Sequence, residues 1–157
     1  MKILTVCLGN ICRSPTAEAA LNEALREAGL DQQVSVDSAG TGDWHLGEPP
    51  DERMTRAAAK AGMTLSGRSR QIAVTDFAEF DLILVMDHAN HADVTAMAPD
   101  AAGRDKVRLF RSFDPDADHE EVPDPYYGGE AGFHAVVELC RAAARGVLAE
   151  IQQTLDA

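Results

Sequence analysis

The chain has 157 residues, of which 45% are hydrophobic and 25% charged, a composition typical of a globular protein large enough to bury a core. Its formal net charge of −12 disfavours nucleic acids and anionic membranes as partners, because both bind basic surfaces. No apolar run reaches the length of a membrane span, and the three cysteines follow no disulfide framework. These features predict a single cytoplasmic domain, residues 1–157, that does not insert into a membrane.

The first predicted element is a buried strand at residues 3–6, where Ile-Leu-Thr-Val forms a short apolar run. Residues 7–14, Cys-Leu-Gly-Asn-Ile-Cys-Arg-Ser, follow it directly. Ser14 as N-cap and Pro15 in the first turn predict a helix that ends near Gly29. The loop therefore lies at the carboxyl end of a strand, which is where open α/β sheets bind ligands.

This loop has the residues of an oxyanion site. A helix N-terminus presents unpaired amides and a partial positive charge to an anion. Gly9 leaves room for the backbone to approach a ligand, and Asn10 tolerates left-handed backbone angles. Arg13 supplies a planar fork for two phosphoryl oxygens. The same positive field favours the thiolate form of Cys7, to which Ser14 can donate a hydrogen bond.

The remaining elements alternate between strands and helices. Strands are predicted at residues 33–37, 82–86 and 107–110. Helices are predicted at residues 51–61, 76–80, 88–97 and 131–154, with Asp87 as the N-cap of the third of these. This alternation is typical of a parallel sheet with right-handed crossovers.

A long acidic loop, residues 114–129, is typical of a functional segment. Departure of a leaving group from phosphorus needs a proton donor, and the loop offers Asp114, Asp116, Asp118 and Asp124. Asp87 competes from the carboxyl end of a strand, but an N-cap role is favoured for it. Asp124 is favoured because Pro125 stiffens the chain and Tyr126 and Tyr127 would form an aromatic wall beside it. The residues alone leave the choice among these acids open, and they assign no role to the acidic stretch 114–121.

Residues 6–15 resemble the phosphate-binding loop of the low-molecular-weight protein tyrosine phosphatases. The resemblance extends over most of the chain, through residues 37–41, 44–47, 81–87 and 124–127. It implies a three-layer α/β fold, in which helices flank a four-stranded parallel sheet of order 2-1-3-4 and the phosphate loop follows strand 1. It also implies hydrolysis of phosphotyrosine in a protein substrate through a phosphocysteine intermediate, with no metal and no cofactor.

The same resemblance implies roles for individual residues. Cys7 would be the nucleophile, Arg13 the phosphate clamp and Asp124 the general acid. The residues expected to bind substrate are Leu8, Gly9, Asn10, Ile11, Cys12, Ser14, Trp44, Tyr126 and Tyr127. Trp44, which also fits an ordinary packing role, would form the wall opposite the tyrosines. The oligomeric state is not predicted.

The other cysteines and the histidines have competing interpretations. Cys12 is close enough in sequence to Cys7 to form a reversible disulfide that protects the nucleophile, an interpretation we favour over a merely buried side chain. Cys140 lies on the apolar face of the last predicted helix and is assigned to the core. His88 and His91 share a helix face but lack a third ligand, which favours an exposed face over a metal site.

Three other functions compete with phosphotyrosine hydrolysis. A thiol-dependent arsenate reductase resembles this chain but carries a cysteine pair past the third strand, and residues 81–93 contain none. A phosphoarginine phosphatase typically has threonine at the position of Ile11. A phosphate-binding or phosphate-carrying module would not need Asp124. The branched apolar Ile11 and the tandem tyrosines favour phosphotyrosine.

Overall fold

A four-stranded parallel sheet lies at the centre of the molecule. The computed structural model describes residues 1–156. The strands are β1 (Lys2–Cys7), β2 (Ser35–Gly40), β3 (Leu82–Val85) and β4 (Val107–Leu109). Their order across the sheet is β2-β1-β3-β4, and every neighbouring pair is parallel. The fold class and strand order predicted from the sequence are confirmed.

Helices cover both faces of this sheet. They are α1 (Arg13–Glu27), α2 (Glu52–Lys60), α3 (Asp76–Glu79), α4 (His88–Met97), α5 (Ala101–Asp105) and α6 (Glu130–Asp156), with a 3-10 helix at Phe110–Phe113. Because alternate strand residues face opposite sides, Ile3 packs in a cluster with α1, α2 and α6. Leu4 and Val6 pack on the other side with α3 and α4. Among residues 1–156 no helix has both the length and the apolar character needed to cross a membrane.

The parallel register brings the functional segments to one edge of the sheet. Cys7 is opposite Gly40 in the β1–β2 pairing, and both residues end their strands. β3 ends at Val85 on the same edge, so that Asp87, the N-cap of α4, follows it there. The carboxyl ends of three strands thus converge on the loop that follows Cys7.

The N-cap predicted at Ser14 is wrong. α1 begins at Arg13, and Cys12 occupies the cap position without a side-chain capping bond. The Ser14 hydroxyl instead lies 3.1 Å from the Sγ of Cys7. The tight loop draws this side chain toward the end of β1, so that tertiary contacts override the local capping preference.

Other differences between prediction and structure concern boundaries. β2 covers 35–40 rather than 33–37, and β4 ends at Leu109 because Phe110 begins the 3-10 helix. The short helix α5 was not predicted. Cys140 lies in the core, as expected for the apolar face of α6.

Candidate active site

The loop between β1 and α1 turns its carbonyl groups outward. The carbonyl of Leu8 accepts from the amide of Gly42, and that of Ile11 from the amide of Asp51, both at 2.9 Å. Within the described chain, no backbone N–H of residues 9–12 donates to another protein group. These amides are therefore available to an oxyanion at the centre of the loop.

Asn10 and Gly40 hold the loop in this shape. Asn10 has a φ of 57°, the left-handed conformation that its residue type tolerates. Its side chain donates to Ser14 Oγ at 2.8 Å and to Ser38 Oγ at 3.0 Å. A Cβ on Gly40 would lie 2.8 Å from the carbonyl oxygen of Leu8. β2 can approach the loop this closely only because position 40 has no side chain.

The buried Ser14 hydroxyl lies against the Cys7 sulfur, with 3.1 Å between Oγ and Sγ. Because the Asn10 amide already donates to Ser14 Oγ, the hydroxyl hydrogen remains free to be donated. Its acceptors are Cys7 Sγ and, at 3.3 Å, the carbonyl of Ala39. A hydroxyl oriented in this way stabilises a thiolate.

Arg13 is 3% exposed and is fixed by groups distant in sequence. Its Nη1 donates to Asp87 Oδ2 at 2.6 Å and to the carbonyl of Val122 at 3.1 Å. The other oxygen of Asp87 caps α4 by accepting from the amide of Asn90. Burial opposes the charge of Arg13, but Cys7, Asp87 and Asp124 outweigh that effect and raise its pKa. The guanidinium therefore stays cationic.

The sequence interpretation missed two of these contacts. Asp87 was favoured as an N-cap, whereas it both caps α4 and pairs with Arg13. The carbonyl of Val122 is a backbone group 109 positions from Arg13, and no side-chain pattern could have indicated it.

Asp124 lies at the mouth of the site. Its Oδ2 is 3.6 Å from Arg13 Nη2, and its Oδ1 accepts from the amide of Tyr126 at 3.0 Å. Its side chain is 41% exposed, so that solvent water can reach the carboxyl group. The acid and the clamp that were predicted separately therefore come together.

The loop, Asp124 and the aromatic residues enclose a cavity of about 310 Å3. It is lined by Cys7, Leu8, Gly9, Ile11, Cys12, Arg13, Trp44, His45, Asp124, Tyr126 and Tyr127. Trp44 and Tyr127 are largely exposed, at 69% and 94%, and therefore form a rim. Of the residues expected to bind substrate, Asn10 and Ser14 do not line the cavity but are buried beneath it.

His45 and Arg53 also shape the wall. The ring of His45 lies 6.1 Å from that of Tyr126 and contacts the space above Gly9. Arg53 places its guanidinium 5.1 Å from the centre of the Tyr126 ring and 4.7 Å from that of Phe133, a cation–π arrangement that fixes the tyrosine. Neither side chain was singled out from the sequence. The position of His45 directly after Trp44 was the available signal.

Cys12 is buried next to this cavity as a free thiol. Burial, together with the charges of Asp51 and Cys7, raises its pKa, so that it is held in the thiol form. His88 pairs with Glu120 on the exposed surface at 2.9 Å. In residues 1–156 no group of three metal-ligating side chains comes together.

Comparison with known proteins assigns the family. The family model described as low molecular weight phosphotyrosine protein phosphatase matches residues 2–157. The chain belongs to this family. Over 155 residues this phosphatase is 45% identical to a Synechocystis protein named for the low molecular weight protein-tyrosine-phosphatases, and the match covers 99% of each chain.

Solved structures show the same relationship. The phosphatase matches a crystal structure of a protein tyrosine phosphatase from Entamoeba histolytica, with Hepes in its active site, at a TM-score of 0.95 and 36% identity over 98% of each chain. It matches a Drosophila arginine phosphatase at a TM-score of 0.89 and 32% identity, over 96% of this chain and 98% of the other. It is an enzyme, a protein-tyrosine phosphatase of the hydrolase class.

Proposed function

We propose that Cys7 is the nucleophile, that Arg13 and the loop amides bind the phosphoryl oxygens, and that Asp124 is the general acid. The observation that carries this proposal is the convergence of these three side chains on one cavity. Arg13 Nη2 lies 3.6 Å from Asp124 Oδ2, so that the acid lies beside the group that would hold the phosphate. The substrate class is phosphotyrosine in a protein.

In the first step the Cys7 thiolate forms a bond to phosphorus while the bond from phosphorus to the phenol oxygen breaks. The departing oxygen takes the electron pair and a proton from Asp124. Because Nη1 of Arg13 is engaged by Asp87 and Val122, its Nε and Nη2 edge is left for the phosphoryl oxygens. The loop amides stabilise the charge that develops on these oxygens. The products are phosphocysteine and tyrosine.

In the second step water displaces the cysteine. The Asp124 carboxylate takes a proton from water, whose oxygen bonds to phosphorus as the sulfur–phosphorus bond breaks. The electron pair returns to Cys7, and the Ser14 hydroxyl donates a hydrogen bond to the thiolate that forms. One carboxyl group thus serves as acid and then as base.

Trp44 and Tyr127 at the rim, with Tyr126 below them, form a slot for a flat aromatic ring. Their exposure also offers apolar contact area to the residues that flank phosphotyrosine in a protein chain. Ile11 adds a branched apolar side chain to the same wall. These features support a phenyl ring over the flexible polar side chain of phosphoarginine.

The proposal also treats residues 1–157 as one domain, which the single four-stranded sheet supports. It further places the protein in the cytoplasm. The cysteine chemistry supports that compartment, because Cys7, Cys12 and Cys140 are all free and a thiolate nucleophile needs a reducing compartment to remain active.

The test is turnover of p-nitrophenyl phosphate, a phosphotyrosine peptide and phosphoarginine, with EDTA present. Cys7→Ser should abolish turnover, and Asp124→Asn should lower kcat/KM on phosphotyrosine by roughly 10²- to 10⁴-fold. The matched control is Asp116→Asn, because Asp116 lies in the same loop without a contact to Arg13. Its kcat/KM on phosphotyrosine should equal that of wild type. Preference for phosphoarginine would overturn the substrate class, and an unchanged Asp124→Asn would overturn the assignment of the acid.

A further inference from the structure

Two buried arginines hold consecutive carbonyl groups just before Asp124. Arg13 donates to the carbonyl of Val122 at 3.1 Å, and Arg111 donates from its Nη1 to the carbonyl of Glu121 at 3.0 Å. Arg111 is only 6% exposed. Burying a guanidinium is costly unless it is paired and hydrogen-bonded, so this second arginine calls for an explanation that phosphate binding by Arg13 does not supply.

The side chain of Arg111 bonds to both ends of the segment 118–121. Its Nη2 donates to Asp118 Oδ1 at 2.7 Å, while Asp118 itself is 78% exposed. The two Nη groups of one planar fork therefore grip both ends of residues 118–121. Such a fork fixes direction as well as distance, which a single lysine nitrogen does not. The acidic stretch 114–121 thereby gains a contact that orders it.

A second set of bonds attaches this stretch to the strand end beside the phosphate loop. Glu121 accepts from the amide of His88 at 2.7 Å, and the amide of Val122 donates to the carbonyl of Met86 at 2.8 Å. Met86 and His88 flank Asp87, which binds Arg13. The backbone two residues before Asp124 is thus held by the same segment that orients the phosphate clamp.

We propose that Arg111 is a positioning residue for the general acid, and that residues 118–121 are the strap through which it acts. This proposal rests on the role of Asp124 proposed above. Arg111 does not line the cavity, so it acts through the peptide groups of the strap. Releasing the strap lets Asp124 drift from the leaving oxygen while the phosphate loop stays intact.

This mechanism predicts a substrate-dependent loss. The phenol of tyrosine, with a pKa of about 10, is a poor leaving group that depends strongly on proton donation. The more acidic p-nitrophenol depends on it less. A misplaced acid therefore harms phosphotyrosine more than p-nitrophenyl phosphate, and it leaves the affinity for inorganic phosphate unchanged, because Arg13 and the loop amides bind phosphate.

The experiment compares Arg111→Gln and Asp118→Ala with wild type, and uses Asp116→Ala as a matched surface control. We expect both test variants to lose about tenfold in kcat/KM on phosphotyrosine, a fraction of a general acid's contribution, and to lose much less on p-nitrophenyl phosphate. The inhibition constant of inorganic phosphate should not change. Asp118 is exposed, so that Asp118→Ala decides the matter if Arg111→Gln fails to fold.

Equal losses on the two substrates, no loss on phosphotyrosine, or weaker inhibition by inorganic phosphate would each overturn the positioning role. These outcomes differ from failure of the catalytic assignment, because that failure appears in Cys7→Ser and Asp124→Asn, whereas the strap is tested by a ratio in enzymes that turn over.

Discussion

Ser14 Oγ lies 3.1 Å from Cys7 Sγ, at the base of the phosphate loop. The Asn10 amide donates to the serine oxygen, so that the hydroxyl hydrogen is available to sulfur. In the proposed mechanism, this relationship gives the second chemical step a donor at the atom on which negative charge appears.

Ser14→Ala should therefore slow the hydrolysis of phosphocysteine more than its formation. A hydrogen bond to a charged group contributes about 1.5–3 kcal/mol. Its loss corresponds to a fall in kcat of roughly 10- to 150-fold. Rapid-mixing kinetics should show a larger burst of p-nitrophenol before steady state. The exposed Ser112→Ala serves as control, and an undiminished kcat would exclude the role of the hydroxyl.

Gly40→Ala should displace the phosphate loop. The new Cβ would lie 2.8 Å from the carbonyl oxygen of Leu8, and backbone at that distance has to move. Overpacking of this kind costs about 1–3 kcal/mol, so we expect a lower melting temperature together with weaker inhibition by inorganic phosphate.

Gly132→Ala is the matched control for that change. Its Cβ would meet Pro125 at 3.7 Å, an ordinary contact, and alanine is favoured over glycine within a helix such as α6 by roughly 1 kcal/mol. If both variants retained wild-type phosphate affinity, close packing at Gly40 would not be what shapes the loop.

The parts of the site that are local in sequence could be predicted. The apolar run of β1 and the residue types of its loop indicated the position of Cys7 and the backbone of Asn10, because both depend on neighbours within a few residues. The family resemblance indicated Asp124 among several acids. The structure places Asp124 and Arg13 at one cavity, with 3.6 Å between their charged groups.

The contacts that fix Arg13 and Arg111 could not be predicted in this way. Arg13 is held by Asp87 and by a carbonyl 109 positions away, and carbonyl groups carry no sequence signal. Arg111 is a charged residue in a position that turns out to be buried. Ser14 was misassigned because a capping preference depends only on local sequence, whereas here the side chain contacts Cys7 and Asn10.

Cys12 should govern recovery from oxidation. Peroxide converts the Cys7 thiolate to a sulfenic acid with release of hydroxide. Attack by the Cys12 sulfur on the sulfenic sulfur then forms the disulfide and releases water. Because burial raises the pKa of Cys12, little thiolate is present and closure should be slow. Without Cys12, a second peroxide oxidises the sulfenic acid to a sulfinic acid, which thiols do not reduce. We therefore expect dithiothreitol to restore peroxide-treated wild type but not Cys12→Ser. Cys140→Ala, which removes a core thiol of α6 outside the loop, should recover like wild type. Full recovery of Cys12→Ser would contradict the disulfide.

Asp51 links the stability of α2 to pH. Its side chain accepts from the amides of Arg53 and Met54 as the N-cap of the helix. Burial opposes ionisation, but the Arg53 side chain and these amides outweigh it and lower the pKa of Asp51. The unfolded chain therefore binds the proton more readily than the folded one. The stabilisation is fully present above the ordinary aspartate pKa of about 3.9, which applies to the unfolded chain. It is lost as the pH falls through the lower pKa of Asp51 in the folded state.

Asp51→Ala should thus cost about 1 kcal/mol of stability at pH 7, the usual loss for an N-cap, and less as the pH falls below about 4. Thermal unfolding at pH 7 and pH 3 measures the difference. The exposed Asp31→Ala controls for the removal of one negative charge from an acidic protein. Low pH protonates Asp51 and so removes its charge. If Asp51→Ala cost the same stability at both pH values, the carboxylate charge would not contribute to capping.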